Sequence, residues 1–105
     1  MSQIAYTVAC SFSRPEVAEG WLAWLSEKHL ADVCAGGAVE ARVVRMDGEP
    51  LRYEVRYLFA SRDAFDAYLR DHAPGLKAEG LEKFPLDLGL AYQRTVGETV
   101  QHFRP

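Results

Sequence analysis

The stretch Ile4-Ala5-Tyr6-Thr7-Val8-Ala9-Cys10-Ser11-Phe12 alternates without a break: Ile4, Tyr6, Val8, Cys10 and Phe12 fall on one side, Ala5, Thr7, Ala9 and Ser11 on the other. Side chains of a strand point to opposite faces with a period of two, so this segment predicts a strand with one apolar face and one face of small, mostly polar groups. Leu51–Ala60 has the same character. Leu51, Tyr53, Val55, Tyr57 and Phe59 share a face, and Arg52, Glu54 and Arg56 lie opposite. Two strands of matching parity predict a sheet whose aromatic side is covered and whose other side is not.

Outward from these strands, the helix signals fall into place. Ser13 is a predicted N-cap, with Pro15 and Glu16 suited to a first turn. A helix is predicted from about Arg14 to His29, its stripe formed by Val17, Ala18, Trp21, Leu22, Trp24 and Leu25. A short helical extension, Ala31–Ala35, ends at Gly36-Gly37. Val39–Met46 and Leu51–Ala60 read as strands joined by a hairpin turn at Asp47-Gly48-Glu49-Pro50. Ser61 is expected to cap a helix reaching His72, with Ala64, Phe65, Tyr68 and Leu69 inward. Pro74 restarts a weaker helix to Lys83, Phe84-Pro85 stops it, and Leu88–Val100 is the last strand. The order strand, helix, strand, strand, helix, strand defines an α+β fold of the ferredoxin-like βαββαβ type: an antiparallel sheet with both helices on one face, in a single domain over residues 1–105.

The uncovered face then limits the function. It carries Ala5, Thr7, Ala9, Ser11, Arg52, Glu54, Arg56, Ala91, Gln93, Thr95, Gly97 and Thr99, and no aromatic ring. Sheets of this kind that bind RNA stack bases on exposed aromatics, whereas Tyr6, Tyr53, Tyr57, Phe59 and Tyr92 lie on the helix side. The charge is also wrong for a polyanion: 12 Lys and Arg against 15 Asp and Glu give −3. Nucleic acid is therefore not an expected partner. Either this face is bare and solvated or a second copy covers it; the expectation is the second, with Arg and Glu pairing across a two-fold axis, so that the fold pairs as a dimeric α+β barrel. Of the 105 residues, 49% are hydrophobic and 26% charged, enough for one core with no membrane segment. Cys10 and Cys34 lack any CxxC or Cys/His spacing, so two buried free thiols in the cytoplasm are expected. Residues Met1 to Phe12 do not read as a signal peptide.

Tyr6-x-Val8-x-Cys10-x-Phe12, Trp21-Leu22-Ala23-Trp24, His29, Asp32-Val33 and Gly36 resemble the front half of a small bacterial domain family of unknown function. Arg45, Tyr53-x-Val55-x-Tyr57, Ser61, Tyr68, Phe84-Pro85 and Arg94 extend the resemblance over nearly the whole chain. The family is similar to the wider dimeric α+β barrel superfamily, which includes cofactor-free monooxygenases, small isomerases, polyketide cyclases and haem-degrading enzymes. The resemblance implies a homodimer and a pocket between helices and sheet, but no particular activity.

His29 is the candidate catalytic residue. Helical spacing from Leu22 and Leu25 sets it on the apolar stripe, and the resemblance implies a histidine beside the pocket. There it acts either as a general base or as a packed residue near free helix carbonyls. Arg94 shares its strand phase with Leu90, Tyr92 and Val96, so a buried guanidinium is expected, held by a ligand carboxylate or by Glu98 or Asp32. Trp21, Tyr57 and Tyr92 are candidates to line a ring-binding pocket, or are simply core. His72 is expected to cap a helix. No metal site is expected, since the histidines are widely spaced, and no nucleotide or nucleophile-elbow motif is present. A small cofactor-independent monooxygenase or isomerase, and a non-enzymatic interaction dimer, are the two functions that follow.

Overall fold

The computed structural model describes residues 2–105. Four strands, β1 (Ile4–Phe12), β2 (Ala38–Arg45), β3 (Leu51–Phe59) and β4 (Leu90–Glu98), form one sheet in the order β2-β3-β1-β4. Every neighbouring pair is antiparallel. The helices α1 (Pro15–Trp24), α2 (Leu30–Ala35), α3 (Arg62–Asp71) and α4 (Ala73–Lys83) pack on one side. This is the ferredoxin-like arrangement that the residue order predicts.

Register explains the side-chain parity. Ile4 pairs with Phe59, Tyr6 with Tyr57, Val8 with Val55 and Cys10 with Tyr53, so β1 and β3 present their apolar residues to the helices together. Ile4, Cys10, Val55 and Phe59 are fully buried there, together with Trp21, Leu25, Val33 and Phe65 from the helices. The opposite face has no aromatic side chain among the described residues. Glu54 sits between Arg52 (3.1 Å) and Arg56 (2.9 Å) of its own strand. Its charge is thus paired within the chain. Ala9 on this face is buried, lying between its cross-strand partners Glu54 and Gln93.

Three local expectations need correction. Ser13 is not the cap of α1: Arg14 is, without a side-chain bond, while Ser13 Oγ donates to the carbonyl of Gly89 (3.4 Å). Ser61 does cap α3, accepting from the N–H of Ala64 at 3.1 Å. Gly89, with φ of +93°, lets the chain enter β4 beside Ser13, where a Cβ would stand 2.0 Å from the hydroxyl. Leu69 is exposed, because the inward stripe of α3 passes through Phe65 and Tyr68. Cys34 is also exposed; only Cys10 is a buried thiol. His72 does cap a helix: it is the C-cap residue of α3, its N–H donating to the Tyr68 carbonyl at 2.9 Å. Among the described residues, no helix is long and apolar enough to cross a membrane.

Between α1 and α2 the chain makes a single wide π turn, Leu25–His29, so helix runs from Pro15 to Ala35 with one interruption. Residues five apart on an α-helix lie about 140° apart around the axis. A π turn closes an i to i+5 bond and brings them onto one side. Trp24 and His29 accordingly stack, with ring centroids 4.3 Å apart and planes within 24°.

Candidate functional site

A cleft opens between α1, α4 and the helix-facing side of the sheet. Buried Trp21 and Tyr57 line it together with Tyr6 and Tyr92, and His29 and Arg94 contribute polar groups. Its free volume is about 50 Å³, room for a few water molecules. Typical small-molecule sites measure roughly 300–1,000 Å³. The five residues singled out in the sequence, His29, Arg94, Trp21, Tyr57 and Tyr92, therefore all border the same space.

The aromatic wall is held by specific contacts. Trp21 Nε1 donates to the hydroxyl of Tyr92 at 3.1 Å, which satisfies an indole that is only 1% exposed. Phe12 and Tyr53 pack their rings against Trp21. Burial keeps these groups protonated. It pushes the Tyr92 and Tyr68 hydroxyls and the Cys10 thiol up to about 12, and Tyr57 higher still. Cys10 is thus an inert core thiol. Burial also raises Tyr6, while the positive charge of Arg94 partly offsets the rise.

His29 is half-buried, and removal from water holds its pKa below the usual 6.5, against the opposing pull of Asp32 and Glu79. The imidazole is neutral at pH 7, the form in which it accepts a proton. Its Nδ1 is enclosed and has no hydrogen-bond partner, as are Trp24 Nε1 and Glu79 Oε1. Beside it Lys28 forms ion pairs with Asp32 and, at 3.2 Å, with Glu79 Oε2.

Arg94 departs from expectation. It faces the helix side but is exposed in this chain, and among the described residues it forms an ion pair with neither Glu98 nor Asp32. The reason is topological. β4 is an edge strand, and every residue from Gln93 to Glu98, Val96 included, is exposed. Arg94 instead lies over the Tyr92 ring, 5.1 Å from its centroid. Among the described residues, no group of three or more His, Cys, Asp and Glu side chains converges as a metal site. Sequence reasoning missed Glu79 and the Trp24–His29 stack. The first depends on the packing of α4 beside Lys28, and the second on the π turn.

Sheet order and helix placement put this chain among ferredoxin-like α+β proteins. Residues 3–98 match the family described as "Domain of unknown function (DUF4286)", and the chain belongs to that family. No curated protein matches it in sequence. Among solved structures, a dimeric ferredoxin-like protein from an uncultured marine organism superposes with a TM-score of 0.74 at 12% identity, covering 98% of this chain and 100% of that one. SnoaB, a cofactor-independent oxygenase from Streptomyces nogalater, superposes at 0.69 with 16% identity over 100% of this chain and 99% of its own. A protein of the ethyl tert-butyl ether d (EthD) family from Bacillus halodurans gives 0.66 at 15%, covering 92% and 99%. At these identities the likeness is one of fold.

Proposed function

We propose that this protein is a cytoplasmic homodimer that binds a small aromatic metabolite bearing an acidic group in the cleft between helices and sheet. One observation carries the reading: the cleft joins an aromatic wall, a neutral half-buried imidazole and an exposed, ion-pair-free guanidinium. Trp21, Tyr57 and Tyr92 present ring surface, Arg94 pairs with a carboxylate or phenolate, and His29 takes a proton from the bound molecule. Proton removal is the first step of cofactor-independent oxygenation and of isomerisation alike, and SnoaB, which shares the fold, is described as an oxygenase of that kind. The free volume is small, so the ligand enters by displacing α4, whose buried residues are only Ala73 and Gly80. The dimer rests on the uncovered face of small residues and on the dimeric description of a protein of the same fold. Cys10 and Cys34, both free, suit a reducing compartment.

The small void favours a second reading, a dimer that binds no metabolite. A thermal-shift screen with aromatic carboxylates and phenols separates the two. A true ligand at 100 times its Kd stabilises by about 2.7 kcal/mol, and R94Q removes the effect. No shift with any compound leaves the interaction dimer. Light scattering tests assembly: the wild type is expected at twice the chain mass and A9R, on the open face, at one. A monomeric wild type ends both readings.

A further inference from the structure

We propose that Glu79 is a positioning residue for His29, accepting the proton-bearing Nδ1 so that Nε2 is left free as the base. The inference deepens the reading of the cleft given above and rests on it for its functional meaning. Its geometry is independent of any ligand.

Three enclosed polar atoms without partners lie close together where α1, the π turn and α4 meet: Trp24 Nε1, His29 Nδ1 and Glu79 Oε1. Enclosed polar groups without partners are rare, since each forfeits about 1–3 kcal/mol. Their proximity follows from contacts on all sides. Trp24 stacks on His29, and the Trp24 ring edge approaches Gly80, next to Glu79, so closely that a Cβ there would stand 3.2 Å away. Lys28, adjacent to His29, holds the other carboxylate oxygen of Glu79. The carboxylate is thus tethered at Oε2, and its Oε1 is left enclosed and without a partner.

Of the two unpartnered nitrogens, that of His29 belongs to the group that changes charge, which the indole of Trp24 does not. Asp32 and Glu79 favour the imidazolium, while Lys28 and Arg94 oppose it; Lys77 of α4 also borders the cleft. Oε1 and Nδ1 are not in contact in the structure. A side-chain rotation of Glu79, or one bridging water, joins them. A carboxylate behind an imidazole fixes its tautomer and orientation, which is the arrangement a directed base requires. The π turn gives the pairing its structural basis, since without it His29 would not face Trp24 and α4.

The test reads the tautomer and titration of His29 by nitrogen NMR in the ligand-free protein, with His72 and His102 as internal controls and H29Q for assignment. The wild type is expected to carry its neutral-state proton on Nδ1. E79Q retains an acceptor and keeps that tautomer, but its His29 midpoint falls because the negative charge is gone. E79A loses the tautomer preference, and its His29 midpoint falls further below the usual 6.5 as the opposing carboxylate is gone, while His72 and His102 do not move. Proton placement on Nε2 in the wild type overturns the proposal. So does an E79A protein with unchanged His29 signals, including one in which only the Trp24 indole N–H responds. Because no ligand enters the measurement, failure here is distinct from failure of the binding screen.

Discussion

Replacing Gly80 by alanine is the sharpest probe of how α4 closes over the cleft. In a helix interior alanine is favoured over glycine by roughly 0.5–1 kcal/mol, because glycine loses more backbone entropy on folding. On that ground alone G80A is stabilising. The new methyl would stand 3.2 Å from Trp24 Cη2, however. That indole cannot readily yield, being stacked on His29 at 4.3 Å on one side and packed on Phe84 at 5.7 Å on another. Forcing an extra methyl into a packed core costs about 1–3 kcal/mol. Steric crowding therefore wins, and G80A loses on the order of 1 kcal/mol net. Gly75 lies on the same helix with nothing within 4 Å of its absent Cβ, so G75A keeps the backbone gain alone, about 0.5 kcal/mol. The two variants should bracket the wild type, separated by about 6 °C in Tm at roughly 4 °C per kcal/mol for a domain of this size. Thermal unfolding followed by near-ultraviolet circular dichroism checks it, because Trp24 reports directly on the contact. If G80A melts at or above G75A, α4 does not press on Trp24, and the tight cleft described here is wrong.

Capping gives a second contrast: S61A should cost about 1 kcal/mol through loss of the α3 cap, whereas S13A costs less, as urea midpoints will show. In Y92F the Trp21 indole loses its only acceptor in an enclosed position, which should cost about 1–3 kcal/mol in the same assay. The His29 prediction follows from its lowered pKa. Above about pH 6.5 both states are neutral; below it the unfolded chain binds the proton first, so stability falls as pH drops and levels off beneath the native pKa. H29Q abolishes that slope between pH 7.5 and 5.5, and parallel slopes would show that burial is not what depresses the pKa. Alkylation at pH 8 followed by mass spectrometry should label Cys34 alone in the native protein, since Cys10 is inaccessible and its thiol is held up at about 12.

The parity of β1 and β3 was readable residue by residue, because a period of two depends only on the local backbone. So were the hairpin at Asp47–Pro50, the Ser61 cap and the helix stops at Gly36 and Phe84. Ser13 misled because a serine before a proline carries the local signature of a cap wherever the chain later goes. Here the close passage of Gly89 engages its hydroxyl instead. Of the candidate site, Trp21, Tyr57, Tyr92 and Arg94 were reachable from phase alone, since phase decides which face a side chain joins, whereas the π turn sets where His29 faces.

Phase does not decide depth. Arg94 was placed on the correct side yet expected to be buried, and its exposure goes with the place of β4 at the sheet edge, a property of no single segment. Glu79 and Lys28, 51 residues apart, meet only because α4 crosses beside the π turn, and that turn has no local signature among Leu25, Ser26, Glu27, Lys28 and His29. Local sequence fixed which atoms are polar and which way each strand and helix turns them. Packing between distant segments decided which of those atoms would be shut away from water without a partner.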